Sequence, residues 1–304
     1  MTRGRPVLFV AMALLLVTAV GLEILRDRRY GEPRPAAQSI LYVRSGDFLK
    51  RASLSNASLL ADLYWIRAIQ HYGGGRRSKD PGERYEMLYP LLDITTTLDP
   101  KFTIAYRFGA VFLTEKPPGG PGRPDQAIAL LQKGLRHDPR KWQYEHDLGF
   151  VYYWSLQDYR KAAEAFRAAA DVPGAPWWLR SLAGIVAVQG GDRDTSRRLW
   201  LQIYESADNE WLRDNAQLRL AQLTALDRID YLEAMVSEVA RRIGSRPTSW
   251  ADVIRAGRLL RPPLDPAGTP FVLDPQTGRV NVSADSKLYP LPTEPAARLG
   301  RAPS

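Results

Sequence analysis

The chain is predicted to be all-α: a helix-turn-helix solenoid with an N-terminal transmembrane helix and a small C-terminal helix plus β-hairpin module. Three observations carry that prediction. Asp99-Pro100, Asp138-Pro139 and Asp171-Val172-Pro173 each close a helical stretch. Pro139 and Pro173 stand 34 residues apart, while Pro100 and Pro139 stand 39 apart, and the excess of five matches the insert Pro117-Pro118-Gly119-Gly120-Pro121. A period near 34 with two helical patterns in each period is the mark of a stacked array of helix pairs. The second observation is an apolar run from Val7 to Leu22, broken only by Thr18 and Gly21 and resumed after Glu23 by Ile24 and Leu25. The third is a change of character after Gly244, where Pro, Gly and Asp punctuate short apolar stretches.

Composition narrows the function classes. Of 304 residues, 45% are apolar and 25% charged, so the chain can bury a core. The net charge of +9 is scattered. Arg76-Arg77, Arg197-Arg198 and Arg241-Arg242 lie far apart among acidic neighbours and read as solvated helix faces, with no nucleic acid as partner. The absence of cysteine excludes disulfides, thiolate zinc sites, a thiol nucleophile and a lipoprotein cysteine.

Taken in order, residues 1–30 are read as a membrane anchor. As a helix, Val7 to Leu25 spans about 28 Å, the thickness of the bilayer's hydrocarbon. A cleaved signal peptide with small residues at Ala19-Val20-Gly21 and a buried core helix are the competing readings. Arg3 and Arg5 precede the run and Arg26, Arg28, Arg29 and Arg34 follow it, so flanking charge does not orient it. A single pass through the inner (cell) membrane with an exported, extracytoplasmic body is expected. Residues 31–53 form a linker, broken by Gly31, Pro33 and Pro35, in which Ile40 to Val43 reads as a strand or extended arm.

The solenoid is expected over 54–244. Leu59, Leu60, Leu63, Ile66 and Ile69 make an apolar stripe at three- and four-residue spacing, ended by Gly73-Gly74-Gly75. Glu83 to Leu98 is its partner helix. Further pairs are expected at 102–115 with 125–137, 142–156 with 159–171, and 177–189 with 192–207. A fifth pair, 210–226 with 229–243, caps the stack. Residues 245–292 hold a helix at 251–260, capped by Thr248 or Ser249, and strands 271–273 and 279–282 around Asp274-Pro275-Gln276-Thr277-Gly278. Residues 293–304 are expected to be disordered.

The third unit resembles a tetratricopeptide repeat. Leu148-Gly149 and Tyr152 match the first-helix signature, and Ala162, Phe166, Ala169 and Pro173 match the second helix and its closing proline. The match requires one extra residue around Trp154 to Asp158 and one fewer before Pro173. The second unit follows with Phe108-Gly109, Phe112, Ala127, Leu131, Gly134 and Pro139, and the fourth with Gly184, Gly191-Asp192 and Trp200. The resemblance covers roughly residues 55–245. Physically, Gly109, Gly149 and Ala162 allow close helix approach, and Phe112, Tyr152, Phe166 and Trp200 fill the gaps. Separately, the stretch after Leu264 resembles the C-terminal region of type II secretion pseudopilins, without the N-terminal processing pattern of that family.

The resemblance to tetratricopeptide proteins implies a concave face that takes a partner. Its stripe here is Tyr106 in the second unit, His146, Phe150, Tyr153 and Trp154 in the third, and Trp178 and Ser181 in the fourth. Large stiff aromatics suit protein capture. No paired lysine and arginine mark a carboxylate clamp. The histidines, His71, His137 and His146, lack metal-ligand spacing, and no phosphate loop or nucleophile elbow is present. Asp265-Pro266 and Asp274-Pro275 read as turns rather than calcium ligands. No catalytic residue, metal, cofactor or small-molecule substrate is expected. The sequence predicts a membrane-anchored scaffold that binds protein partners through the groove and the lipid bilayer through residues 7–25, in the assembly of a bacterial envelope machine for secretion, pilus formation or polysaccharide export. The alternative is a self-associating, pseudopilin-related subunit acting through the hairpin.

Overall fold

The computed structural model describes residues 12, 14–18, 20–22, 25, 45–53, 55–77 and 85–295. These are mostly helical, with one small antiparallel sheet. The described positions of the N-terminal apolar run are helical and exposed. No helix among the described residues is long and apolar enough to cross a membrane, and the rest of residues 7–25 lies outside them. The expected arm at Ile40 to Val43 also lies outside the described residues.

Two compact units divide the chain, and they do not follow the expected boundaries. The first joins residues up to Ala105 with Glu115–Gly122; the second joins Tyr106–Thr114 with Arg123 onward. In the first unit, α1 (Gly46–Ala52) occupies part of the expected linker. Ser45 caps it by accepting from the Phe48 N–H at 3.3 Å, and Lys50 and Arg51 stand in its last turn, where cations suit the dipole. This short helix has no apolar period, so nothing in the pattern announced it. Helix α2 (Ala57–Arg77) packs on α3 (Leu88–Leu98). Gly73-Gly74-Gly75 does not end α2, which runs two residues further: glycine weakens a helix without blocking its hydrogen bonds, unlike proline.

The buried face of α2 also departs from expectation. Ala61, Tyr64, Ala68 and Tyr72 are buried, whereas Leu59, Leu63, Ile66 and Ile69 face solvent. The face turned inward alternates small and large residues, Ala61 and Ala68 with Tyr64 and Tyr72. The proline-rich insert is tied back within this unit. Tyr85 donates to the Gly119 carbonyl at 2.8 Å, Arg76 pairs with Glu115 at 3.0 Å, and the Tyr72 hydroxyl donates to the Glu115 carboxylate. Burial, then the bond to Glu115, pushes the Tyr72 hydroxyl up to about 12.

Helix α4 (Thr103–Thr114) passes from the first unit into the second. In the second unit follow α5 (Pro124–His137), α6 (Trp142–Phe150), α7 (Tyr159–Asp171), α8 (Trp178–Gln189) and α9 (Arg193–Ser206). From α5 to α9 each helix packs on the next. Side-chain caps from Asp158 and Asp192 open α7 and α9. After α6 the chain makes a π-helical turn, Val151–Leu156, which closes on Gln157 in the left-handed conformation at φ 53°. An i→i+5 turn is the backbone's way of holding one residue too many.

Glycine sets the spacing inside these pairs. A Cβ on Gly149 would lie 2.5 Å from the Phe166 ring, and one on Gly184 would lie 3.0 Å from Trp200 Nε1. Of the four residues expected to fill the gaps, Phe166 and Trp200 are buried and Phe112 and Tyr152 are half-buried; Phe108, beside Gly109 in the second unit, is exposed.

The expected fifth pair is a single helix. α10 (Glu210–Ile243) runs 34 residues, about 51 Å. Leu226-Asp227-Arg228-Ile229 contains no glycine or proline to break it. The first half of α10 packs Ala216, Leu223 and Leu226 with Trp200 and Ile203. The second half packs Leu232, Val236 and Val239 with Val253, Phe271, Leu273, Val280, Val282 and Leu288. One helix therefore serves both the helical pairs and the C-terminal module, and it ends at Gly244 in the left-handed conformation. Helix α11 (Trp250–Arg255) is shorter than expected, with a Ser249/Asp252 capping box. Strands β1 (Val272–Leu273) and β2 (Val280–Asn281) pair antiparallel, with Val272 opposite Asn281. The segment after them is not a loose tail at 293. Glu294 is buried, and residues 296–304 lie outside the described set.

Candidate functional site

The seven expected groove residues do not share one surface. Tyr106 is fully buried; its ring meets Tyr144 at 5.2 Å, beside Gly134. The exposed side chains of α4 are Ile104, Phe108 and Val111 instead. Tyr106 therefore faces a helix contact rather than a concave surface. Ser181 is half-buried, and its Oγ is enclosed with no hydrogen-bond partner among the described residues.

His146, Phe150 and Trp178 do come together. The imidazole stands 4.7 Å from the Phe150 ring and 5.6 Å from the Trp178 ring, both edge-on, and Trp142 and Phe166 complete the cluster at 5.9 and 6.1 Å. Edge-to-face packing of this kind adds about 0.5–1.5 kcal/mol per pair beyond the area buried. Adjacent side chains were expected to diverge, yet His146 Nδ1 lies 2.9 Å from Asp147 Oδ1. Arg107 holds that carboxylate from the other side through Nε at 2.6 Å and Nη2 at 3.1 Å. The acceptor therefore fixes the ring plane, and the bidentate guanidinium fixes the acceptor. Neighbouring Glu145 is pushed above the usual carboxylate range by burial.

Tyr153 and Trp154 form a second, smaller group, with ring centroids 4.9 Å apart and Tyr159 at 5.3 Å from Tyr153. Trp154 is 67% exposed, too much for a packing role. Trp178 also retains an exposed edge.

One hollow was not anticipated. Trp177 and Trp211, both largely exposed, stand edge-on at 6.2 Å and wall a cavity of about 300 Å³ floored by Ala170, Ile203 and Leu212. Arg180 and Asp208 stand at its rim. The cavity takes one or two side chains, with indole on two sides and both charge signs at the edge. Trp177-Trp178 was visible as a pair in the sequence, but Trp211 lies in the next hairpin, and only folding brings it to Trp177.

A larger cleft, about 610 Å³, runs between α10, β2 and residues 289–294. Its polar end is built on Arg193, which is 4% exposed. Arg193 donates to Glu294 at 2.7 and 2.5 Å, to Asp230 at 2.7 Å and to Asp227 at 2.9 Å. Burial disfavours the charged guanidinium, but the bonds from Glu294, Asp230 and Asp227 outweigh it and hold its pKa above the ordinary arginine value. Gln222 donates to the Leu288 and Pro290 carbonyls, each at 3.0 Å. These contacts fasten the last described segment along α10. The hairpin is fastened too: Val280 N–H donates to Glu233 at 3.0 Å, and Trp250 Nε1 donates to the Phe271 carbonyl at 2.7 Å.

Among the described residues no group of three or more histidines and carboxylates could hold a metal ion. Asp265 accepts from the Ala267 and Thr269 N–H groups and from Ser286 Oγ, so its oxygens serve a turn. Comparison of the chain with protein-family models, with curated proteins and with solved structures gave no match.

Proposed function

We propose that this chain is a membrane-anchored tetratricopeptide-like adaptor that holds a segment of another protein against its exposed aromatics, in the assembly of a cell-envelope machine. The observation that carries the reading is the pair of tryptophans, Trp177 and Trp211, left in solvent around a hollow lined by both apolar and polar side chains. Exposing two indoles costs hydrophobic stabilisation that burial would recover, and rigid aromatics in pockets are the usual anchors of protein interfaces. Trp154, Tyr153 and Trp178 extend the set of candidate anchors. The repeated helix hairpins with a glycine against an aromatic support the tetratricopeptide-like part. The anchor rests on the apolar sequence from Val7 to Leu25.

The pseudopilin-related alternative draws less support. The apolar side chains of the hairpin, Phe271, Leu273, Val280 and Val282, are spent on α10 and α11 rather than offered to another subunit.

The test is co-purification of the full chain from membranes. Trp177→Ala with Trp211→Ala should abolish recovery of a defined partner, and Tyr153→Ala, Trp154→Ala and Trp178→Ala together should weaken it. Tyr231→Ala, an exposed aromatic on α10 outside the hollow, should not. Equal partner recovery from all variants would reject the aromatic surface as the binding site.

A further inference from the structure

Four helix ends meet at the hollow walled by Trp177 and Trp211. Ala170 lies in the last turn of α7, Trp177 at the entry to α8, Ile203 in the last turn of α9 and Trp211 in the first turn of α10. Two C-terminal ends face two N-terminal ends, so the helix dipoles oppose one another and side chains set the local charge. Those side chains are acidic. Residues 203–214 hold Glu205, Asp208, Glu210 and Asp214 against Arg213 alone, in a chain whose net charge is +9. Among the described residues, Asp208 accepts from the neutral amide of Asn209 at 2.8 Å and from no cation. The nearby cations do have partners: Arg213 donates to the Ala207 carbonyl at 3.1 Å, and Arg180 stands 3.9 Å from Asp171.

The two indoles are 59 and 64% exposed, and among the described residues no guanidinium or ammonium lies over either ring. Their planes stand 82° apart. In that corner a flat guanidinium can lie on one ring and turn its N–H edge to the face of the other, which a compact ammonium does less completely. An aromatic corner beside carboxylates attracts a cation and repels an anion.

We propose that the hollow takes an arginine side chain from a basic segment of the protein partner, an inference that rests on the adaptor reading above and gives its partner a chemistry. The indole faces hold the guanidinium, and Asp208 pairs with it at the rim. The cavity of about 300 Å³ admits one such side chain with a flanking residue. Its rim is open to water, so the single contact is weak, and preference for charge rather than affinity is its mark.

Fluorine NMR of the purified full chain, carrying 5-fluorotryptophan in neutral detergent, reads each indole separately. Trp177→Phe and Trp211→Phe assign the two signals. The probes are acetyl-Gly-Leu-Arg-Leu-Gly-amide and the same peptide with citrulline, which keeps the shape of arginine and loses its charge. The arginine peptide should shift the signals of Trp177 and Trp211 and bind roughly 10-fold more tightly than the citrulline peptide. Asp208→Asn should remove most of that difference, and circular dichroism checks the fold of each variant. Equal affinities at these two indoles, or a charge preference that Asp208→Asn leaves intact, overturn the arginine site while the aromatic anchor of the proposed function stands. Shifts confined to other tryptophans, or no shifts, overturn the arginine site as well. The adaptor reading itself fails on a different result, partner recovery that ignores Trp177→Ala with Trp211→Ala.

Discussion

Glycine-to-alanine substitution along the helices should change sign with the room at each position. In an open helix interior the exchange gains about 0.5–1 kcal/mol, because alanine loses less backbone freedom on folding. A Cβ on Gly73 or Gly74 meets nothing within 4 Å, so each substitution in α2 should stabilise by about that amount. At Gly184 the new carbon lies 3.0 Å from Trp200 Nε1 and 3.2 Å from Cε2. The indole must yield a few tenths of an ångström, which offsets the gain and leaves a change near zero. At Gly149 the carbon falls 2.5, 2.6 and 2.8 Å from three atoms of the Phe166 ring. That ring is fully buried and touches both His146 and Phe150, so it has nowhere to turn. Overpacking of about 1–3 kcal/mol, less the propensity gain, leaves a net loss of about 0.5–2 kcal/mol. Urea unfolding of the full chain, followed by circular dichroism, gives the three values on one scale. Phe166→Leu should relieve most of the Gly149→Ala penalty in the double variant, a coupling that a double-mutant cycle isolates. If Gly149→Ala stabilised as much as Gly73→Ala, the claim that helix pairs are held at glycine distance would be wrong.

Three further outcomes are expected. Arg193→Met takes the guanidinium from the buried Glu294 carboxylate and should cost about 3–5 kcal/mol, while Arg193→Met with Glu294→Leu should recover much of it; similar losses for the single and double variants would show that the pair does not fasten the segment. Tyr72 keeps its proton up to about 12 in the folded protein, against about 10 unfolded, so its contribution is whole below pH 10 and is lost as pH rises toward 12. Ultraviolet difference titration of the wild type against Tyr72→Phe should show one late-ionising tyrosine, and its absence would contradict the buried bond to Glu115. His71 has its pKa lowered by burial, and its Nε2 lacks a partner among the described residues, so its contribution holds above about pH 6.5 and falls as acid protonates the ring. His71→Phe should therefore flatten the acid limb of stability measured between neutral pH and pH 5; an unchanged limb would place the acid sensitivity elsewhere.

The helices of the third and fourth pairs were legible because their signals are local. Asp158 and Asp192 cap, Gly190-Gly191 and Pro173 stop, and the three- and four-residue spacing of alanine and phenylalanine in α7 shows its buried face. Gly149 as a close-approach residue and Phe166 and Trp200 as gap fillers were also legible, but that Gly149 meets Phe166 and Gly184 meets Trp200 only the fold shows. The fifth pair failed because Leu226-Asp227-Arg228-Ile229, two charged residues between two apolar ones, holds no glycine or proline to break a helix. Asp227 is needed by Arg193, and the helix continues through it. Tyr106 failed for a different reason: a glycine marks a close approach without saying from which side the neighbour comes.

What the sequence by itself determined are the elements whose causes lie within a few residues: caps, breaks, the period near 34, the apolar N-terminal run and the hairpin turn. Tertiary structure decided which face of each helix is buried, since α2 offers two apolar faces and the one with Ala61, Tyr64, Ala68 and Tyr72 is turned inward. It also decided the meeting of Trp177 with Trp211, and the anchoring of Glu294 on Arg193 across 101 positions of chain. Those contacts depend on distances between elements, and helical periodicity carries no information about what lies across the gap.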